Sequence, residues 1–300
     1  MMLSENENRV AILNLATGVQ KVVSITEPES CAATSYHVAV TTSADGCMLL
    51  THMGDVVTIL PDSQQASCVA FHPNYPHILA IGDTNGSIHM WDLVNQARIS
   101  FFTVHVDCVA SVRFAHDGRL VSSSWDKTAS IIMLDSQFQV LSRLILEGHS
   151  AEVTDILPFL HSNQCVTCSS DQTVRVWDCD AGACIRTLTE HTSLVTSLAL
   201  HPNRRAFASA SWDNSVIVRS SETFEILRRI HFNDWLDSLV LGEDDTLFVG
   251  VYDQGVVSCD ALNGDLRSVV IPASGRVSAL ALGALCIHAI PLLPHTSMPL

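Results

Sequence analysis

The sequence predicts an all-β chain in which four-stranded antiparallel sheets recur and pack face to face around an axis. Three observations carry that prediction. The apolar residues, 47% of the 300, fall in short runs of four to eight broken by Gly, Asp, Asn, Ser and Pro, as in strands buried on both faces. Four histidines, each followed four residues later by a bulky apolar residue, recur at steps of 44, 42 and 40: His105 with Val109, His149 with Val153, His191 with Val195, and His231 with Trp235. A polar turn residue ahead of a short apolar strand recurs in near-constant phase with them, at Glu7, Asp45, Asn85, Asp126, Asp171, Asp213 and Asp253.

One period shows the elements of all. Between His149 and Glu190 lie VTDILPFL, QCVTCSS, TVRVWD and CIRTLT, joined by polar or Gly-containing links such as CDAGA. Consecutive strands with links this short pair antiparallel, giving one sheet per period. A lone sheet would leave an apolar face in water, whereas radial packing of the copies covers both faces. At the ends, RVAILNL and KVVSIT read as a third and a fourth strand, and VSALALG and ALCIHAI as a first and a second. The termini then share one sheet, which removes exposed edges. The tail ALCIHAIPLLPHTSMPL lacks the Ser-x-Asp turn due after a second strand, so a strand from a partner is a second way to fill that sheet.

These features resemble the WD-repeat β-propeller family. The resemblance rests on Trp91-Asp92 and Trp177-Asp178, on Gly148-His149, and on the turns Ser124-Asp126, Ser169-Asp171 and Ser211-Asp213. It implies a seven-bladed β-propeller whose last blade is shared by N- and C-terminal strands. It also implies one domain over residues 1–300, with the repeat pattern over 9–283 and a divergent tail at 284–300. In such repeats a loop His, a Ser on the second strand, the turn Asp and a Trp on the third strand form a structural hydrogen-bond network; here His149, Ser169, Asp171 and Trp177 match. Two other periods match only in part, with Ile132 and Arg219 at the Trp position, so those blades are expected to rely on packing.

Chemistry has less support. His149, Ser169 and Asp171 supply the residue types of a hydrolase triad, but no Gly-x-Ser-x-Gly elbow accompanies them. Cys165 and Cys168 form a Cys-x-x-Cys pair, yet positions i and i+3 of a strand face opposite ways and cannot share a metal. No catalytic residue, cofactor or metal ligand is assigned. An active site in the central channel remains as a remote alternative.

The formal net charge of −15, with only Lys21 and Lys127 as lysines, disfavours nucleic acid as a ligand. The run from Val277 to Leu293 barely reaches spanning length and contains Ser278, Gly283, His288 and Pro291, so it reads as two strands and no membrane insertion is expected. Ten irregularly spaced cysteines and an opening, MMLSENENRV, without a signal pattern suggest an intracellular chain with reduced thiols, cytoplasmic or nuclear.

The expected function is a non-catalytic scaffold or adaptor in a multiprotein complex. The turn position just before the Asp holds Trp125, Trp212 and Tyr252 in three periods and Ala44, Thr84 and Ser170 in others. Large aromatics at turn tips suit partner contact, and Trp235 joins them as a fourth candidate. The acidic balance suggests a partner with basic or mixed charge. A structural subunit of a coat or pore that borrows a partner strand is the alternative.

Overall fold

A computed structural model of the chain describes residues 9–14, 20–25, 28–34, 37–42, 45–51, 53–61, 63–159, 162–202, 205–271, 276–282 and 286–292. The strands form four-stranded antiparallel sheets throughout. Six blades are contiguous in sequence: blade 1 over 28–59, blade 2 over 66–103, blade 3 over 109–146, blade 4 over 153–188, blade 5 over 195–231 and blade 6 over 236–271. A further sheet is composite, joining Arg9–Asn14 and Gln20–Ser24 to Arg276–Leu282 and Cys286–Leu292.

In the composite sheet, Cys286–Leu292 pairs with Arg9–Asn14 on one side and Arg276–Leu282 on the other. Residues 286–292, which the repeat pattern left in the tail, are therefore a second strand, and the chain itself fills the place for which a partner strand was the alternative. The apolar run from Val277 is two strands, and no helix among the described residues is long and apolar enough to cross a membrane.

The burial pattern explains the composition. Second strands such as Ile78–Asp83, Ala206–Ser211 and Thr246–Val251 are buried along their whole length, so both alternating faces need apolar or small residues. Fourth strands such as Val140–Leu146 are mostly exposed, although this one is apolar at five of its seven positions. First strands line a central channel of about 1070 Å³. They pack in succession, that of the composite sheet lying between those of blade 6 and blade 1.

One repeated device positions this channel. Each first strand shifts register against its second strand near its start, around Glu29, Ser67, Ala110, Thr154, Thr196, Asp237 and Ser278. A bulge re-aims the residue it frees. Ser67, Thr154, Thr196 and Ser278 use that aim to donate a hydroxyl to the next first strand, at the carbonyls of Val109 (2.6 Å), Val195 (2.6 Å), Leu236 (2.8 Å) and Pro28 (3.4 Å). In blade 6 the bulge holds Asp237, and the neighbouring Ser238 makes the equivalent bond to Val277 at 2.8 Å. Asp237 is thus released for other contacts.

Candidate functional site

Blade 4 holds the most complete polar network. His149 Nδ1 lies 2.8 Å from Asp171 Oδ2, and His149 Nε2 lies 2.7 Å from Thr167 Oγ1. Trp177 Nε1 donates to the same Thr167 oxygen at 2.8 Å. With Nδ1–H donating to Asp171, Nε2 accepts the Thr167 hydroxyl, giving a chain from indole through hydroxyl and imidazole to carboxylate. Gly148 precedes it at φ +152°, a conformation that L side chains rarely adopt.

The structure brings three of the four expected residues together and replaces the fourth. Thr167, not Ser169, bridges His149 and Trp177. Ser169, two residues on and facing the same side, stabilises the turn: its hydroxyl accepts the Asp171 N–H at 3.0 Å and donates to Ala151 O at 3.2 Å. Alternation along a strand makes positions i and i+2 equivalent. Only the reach of the histidine loop separates them.

Buried charge chemistry fits a clamp. Burial holds the His149 imidazole below its usual pKa despite the Asp171 carboxylate, so it stays neutral as the hydrogen-bond chain requires. Burial works to raise Asp171, but donors from Thr173, His149 and Ser150 outweigh it and bring its pKa down to about 2. Every polar atom of the apparent triad is thereby engaged inside the fold.

Blades 3 and 5 retain more of this network than expected. His105 meets Asp126 (3.0 Å) and Ser122 (2.9 Å), and His191 meets Asp213 (2.8 Å) and Ser209 (2.9 Å). They lack only the indole, since Ile132 and Arg219 occupy its register. The network is thus kept in part, beside the packing on which these blades were expected mainly to rely. Blade 2 shows the opposite loss. Trp91 is buried, but Ile81 stands at the register of Thr167 and Trp91 Nε1 has no hydrogen-bond partner. Its polar pair is instead Asp83 with His89, at 3.0 Å.

Cys165 and Cys168 lie in separate core clusters, Cys165 with Trp177 and Cys179, Cys168 with Val166 and Val195. Both thiols are raised well above the ordinary range, Cys165 by the Cys179 thiol and burial, Cys168 chiefly by burial. The opposite-face geometry keeps them from a common metal.

The aromatic candidates share one rim. The turn residues of five blades each donate a backbone N–H to the carbonyl of the residue just before a first strand: Thr84 to Gln65, Trp125 to Cys108, Ser170 to Glu152, Trp212 to Leu194 and Tyr252 to Trp235. Ala44 lies outside the described residues. Trp125 is 52% exposed and Trp235 47%, while Trp212 and Tyr252 are half-buried. The rim does not gather all four. Trp212 stacks on Trp235 with centroids 5.1 Å apart and planes at 15°, and Trp235 meets Tyr252 at 5.7 Å and 53°. Trp125, on blade 3, stands apart from this ladder, with Ser170 of blade 4 between. Trp212 is tied down by a 3.3 Å bond from Nε1 to Asp237 Oδ1, which Arg276 Nε also contacts at 3.0 Å.

Radial four-stranded blades held by histidine–aspartate clamps and Trp-Asp strands define a WD-repeat β-propeller. The chain belongs to that family: the model for the WD domain, G-beta repeat, matches residues 54–92, 96–132, 141–178 and 182–220. Each matched unit begins with the fourth strand of one blade or just before it and ends with the third strand of the next, so the units interlock neighbouring blades. In sequence the chain is 29% identical over 178 residues to rat apoptotic protease-activating factor 1, covering 59% of this chain and 14% of that protein. It is 26% identical over 154 residues to the bovine target of rapamycin complex subunit LST8, covering 49% and 43%. The G(I)/G(S)/G(T) subunit beta-1 of the lobster Homarus americanus is 30% identical over 139 residues, covering 46% and 41%. The chain thus spans less than half the length of these relatives. The crystal structure of the WD40 beta propeller domain of Doa1 superimposes with a TM-score of 0.75 at 19% identity, covering 88% of this chain and 92% of that one, a likeness of fold.

Proposed function

We propose that the chain is a non-catalytic platform that holds a protein partner on the rim bearing Trp125, Trp212, Trp235 and Tyr252. The observation that carries this reading is the exposure of large aromatics at turn tips, where the fold does not need them: Trp125 and Trp235 are each about half exposed. Exposed indoles cost free energy in water and recover it on burial in an interface. One relative is by name a subunit of a complex, which supports an assembly role here. A net charge of −15 favours a partner with basic or mixed charge. The free thiols of the described cysteines support an intracellular setting. The reading takes the composite sheet as the seventh blade, closing the ring through the Ser278–Pro28 bond.

Affinity capture of partners by the full chain, followed by titration with the main one, tests the proposal. Trp125→Ala and Trp212→Ala should each weaken binding at least tenfold, or roughly 1.4 kcal/mol, without loss of cooperative melting. Association should slow as salt rises. Unchanged affinity in both variants removes this rim. The closing role of the composite sheet fails if a chain lacking residues 1–26 melts like the full one.

A further inference from the structure

We infer that the ladder of Trp212, Trp235 and Tyr252 is a cation–π cradle that accepts an arginine side chain of the protein partner. The inference rests on the platform reading and deepens it by naming the group received.

Geometry comes first. Trp212 and Trp235 are stacked with nearly parallel planes, whereas Tyr252 is tilted by 53° from Trp235, so the Trp235 and Tyr252 rings diverge and form a wedge rather than a closed stack. The wedge is rigid at its base. Tyr252 N–H is bonded to Trp235 O at 2.9 Å, Trp235 N–H to Asp234 Oδ1 at 2.8 Å, and the Trp212 indole to Asp237. Aromatic faces attract a cation through the ring quadrupole, and a planar guanidinium both stacks on the ring and presents its donors sideways.

Charge selects the same ligand. The segments that supply the rings, 211–215, 232–237 and 251–255, contain Asp213, Asp234, Asp237 and Asp253 and no Lys or Arg. The isolated Trp125 differs, because Lys127 lies two residues away in its turn. Arg276, from the composite sheet, offsets one of these carboxylates at Asp237 Oδ1; the acidic excess that is left favours a cation at the ladder, whereas Lys127 opposes one at Trp125.

Asp237 is the second, independent observation. It occupies the bulge where Ser67, Thr154, Thr196 and Ser278 latch neighbouring strands, and a hydroxyl would serve there equally well. The structure places instead a carboxylate that is 5% exposed, whose Oδ1 meets Arg276 and the Trp212 indole and whose Oδ2 has no hydrogen-bond partner among the described residues. Buried carboxylate oxygens ordinarily receive a donor. A guanidinium seated on the ladder brings donors of the type Oδ2 lacks, and the Trp212 indole beside Asp237 is held by its 3.3 Å bond to Oδ1 and by its stacking on Trp235.

The test uses the full chain and two capped pentapeptides, Gly-Gly-Arg-Gly-Gly and its citrulline counterpart, which keeps the planar shape and loses the charge. The five indole N–H resonances in a 1H–15N spectrum report on each tryptophan. The arginine peptide should shift Trp212 and Trp235 saturably and leave Trp125 in place. The citrulline peptide should bind at least tenfold more weakly, and Trp235→Leu should abolish the Trp212 shift. If Trp235→Leu does not fold, Tyr252→Leu serves and should weaken binding at least threefold. Equal binding of the two peptides, or a shift at Trp125 alone, overturns the cradle and leaves the partner rim to the Trp125→Ala titration. Selective arginine binding by a chain whose partner ignores Trp212→Ala would overturn the partner's use of the cradle, and indifference to Trp125→Ala as well would sink the platform reading.

Discussion

Blade 4 and blade 2 carry the same Trp-Asp signature and solve the burial of its indole in opposite ways. In blade 4 the Trp177 N–H reaches Thr167 and, through it, His149 and Asp171; in blade 2 Ile81 stands at the register of Thr167 and the Trp91 N–H has no partner among the described residues. The apolar environment is comparable, since Trp177 is 1% and Trp91 2% exposed. Burial of the ring therefore does not require the clamp. What the clamp adds is a polar chain tying the loop before the blade to its second and third strands, and blade 2 does without it by pairing Asp83 with His89.

The largest expected effect breaks the clamp in blade 4. Thr167→Val keeps the shape and removes the only atom shared by Trp177 and His149, leaving a buried donor and a buried acceptor without partners. At about 1 to 3 kcal/mol for each orphaned group, the loss should be about 3 kcal/mol. Urea unfolding at neutral pH measures it. A loss below about 1 kcal/mol would show that blade 4, like blade 2, does not depend on a hydroxyl bridge to its indole.

Acidification should separate the blades next. The folded-state pKa of His149 is depressed below 6.5, so between the two values the unfolded chain binds a proton that the folded chain refuses. That stability is full above pH 6.5 and falls as the pH drops toward the folded value. Asp171 acts lower down, because its pKa falls from 3.8 to about 2 on folding; its contribution is present above 3.8 and is lost as the pH falls through 2. His149→Asn should flatten the decline just below pH 6.5 and leave the rest of the acid curve to the other groups. If wild type and variant have parallel urea midpoints from pH 7 to 5, the neutral-imidazole assignment is wrong.

The sequence displayed the blades far better than it displayed these internal differences. The four-stranded blades and their strand order follow from a period near 40 and from turns at Asp126, Asp171 and Asp213, all local signals. The bridging hydroxyl was misplaced from Thr167 to Ser169 because both face one side of the same strand. The aromatic ladder was half visible: Trp212 and Tyr252 share a turn position, but the stacking of Trp235 on Trp212 depends on the packing of blade 6 against blade 5. Asp237 carried no signal, since a bulge that frees its side chain is a property of strand register and not of composition.

The smallest effect is also the sharpest test of the comparison. Ile81→Thr places a hydroxyl at the register of Thr167, where Trp91 Nε1–H lacks an acceptor. The substitution removes buried apolar volume, a loss of about 0.8 kcal/mol per methylene-sized group. Against that stands the recovered indole bond, a net gain of about 1 kcal/mol for an ordinary intramolecular hydrogen bond. The new hydroxyl has no His149 equivalent to receive its proton, so the gain stays partial. Net stability should lie within about 1 kcal/mol of wild type. A double-mutant cycle with Trp91→Phe isolates the bond, since the phenyl ring offers no N–H: the coupling should be about 1 kcal/mol in favour of the pair. Zero coupling would mean that the indole N–H of blade 2 does not point at position 81, and that the two blades differ in ring orientation rather than in one missing oxygen.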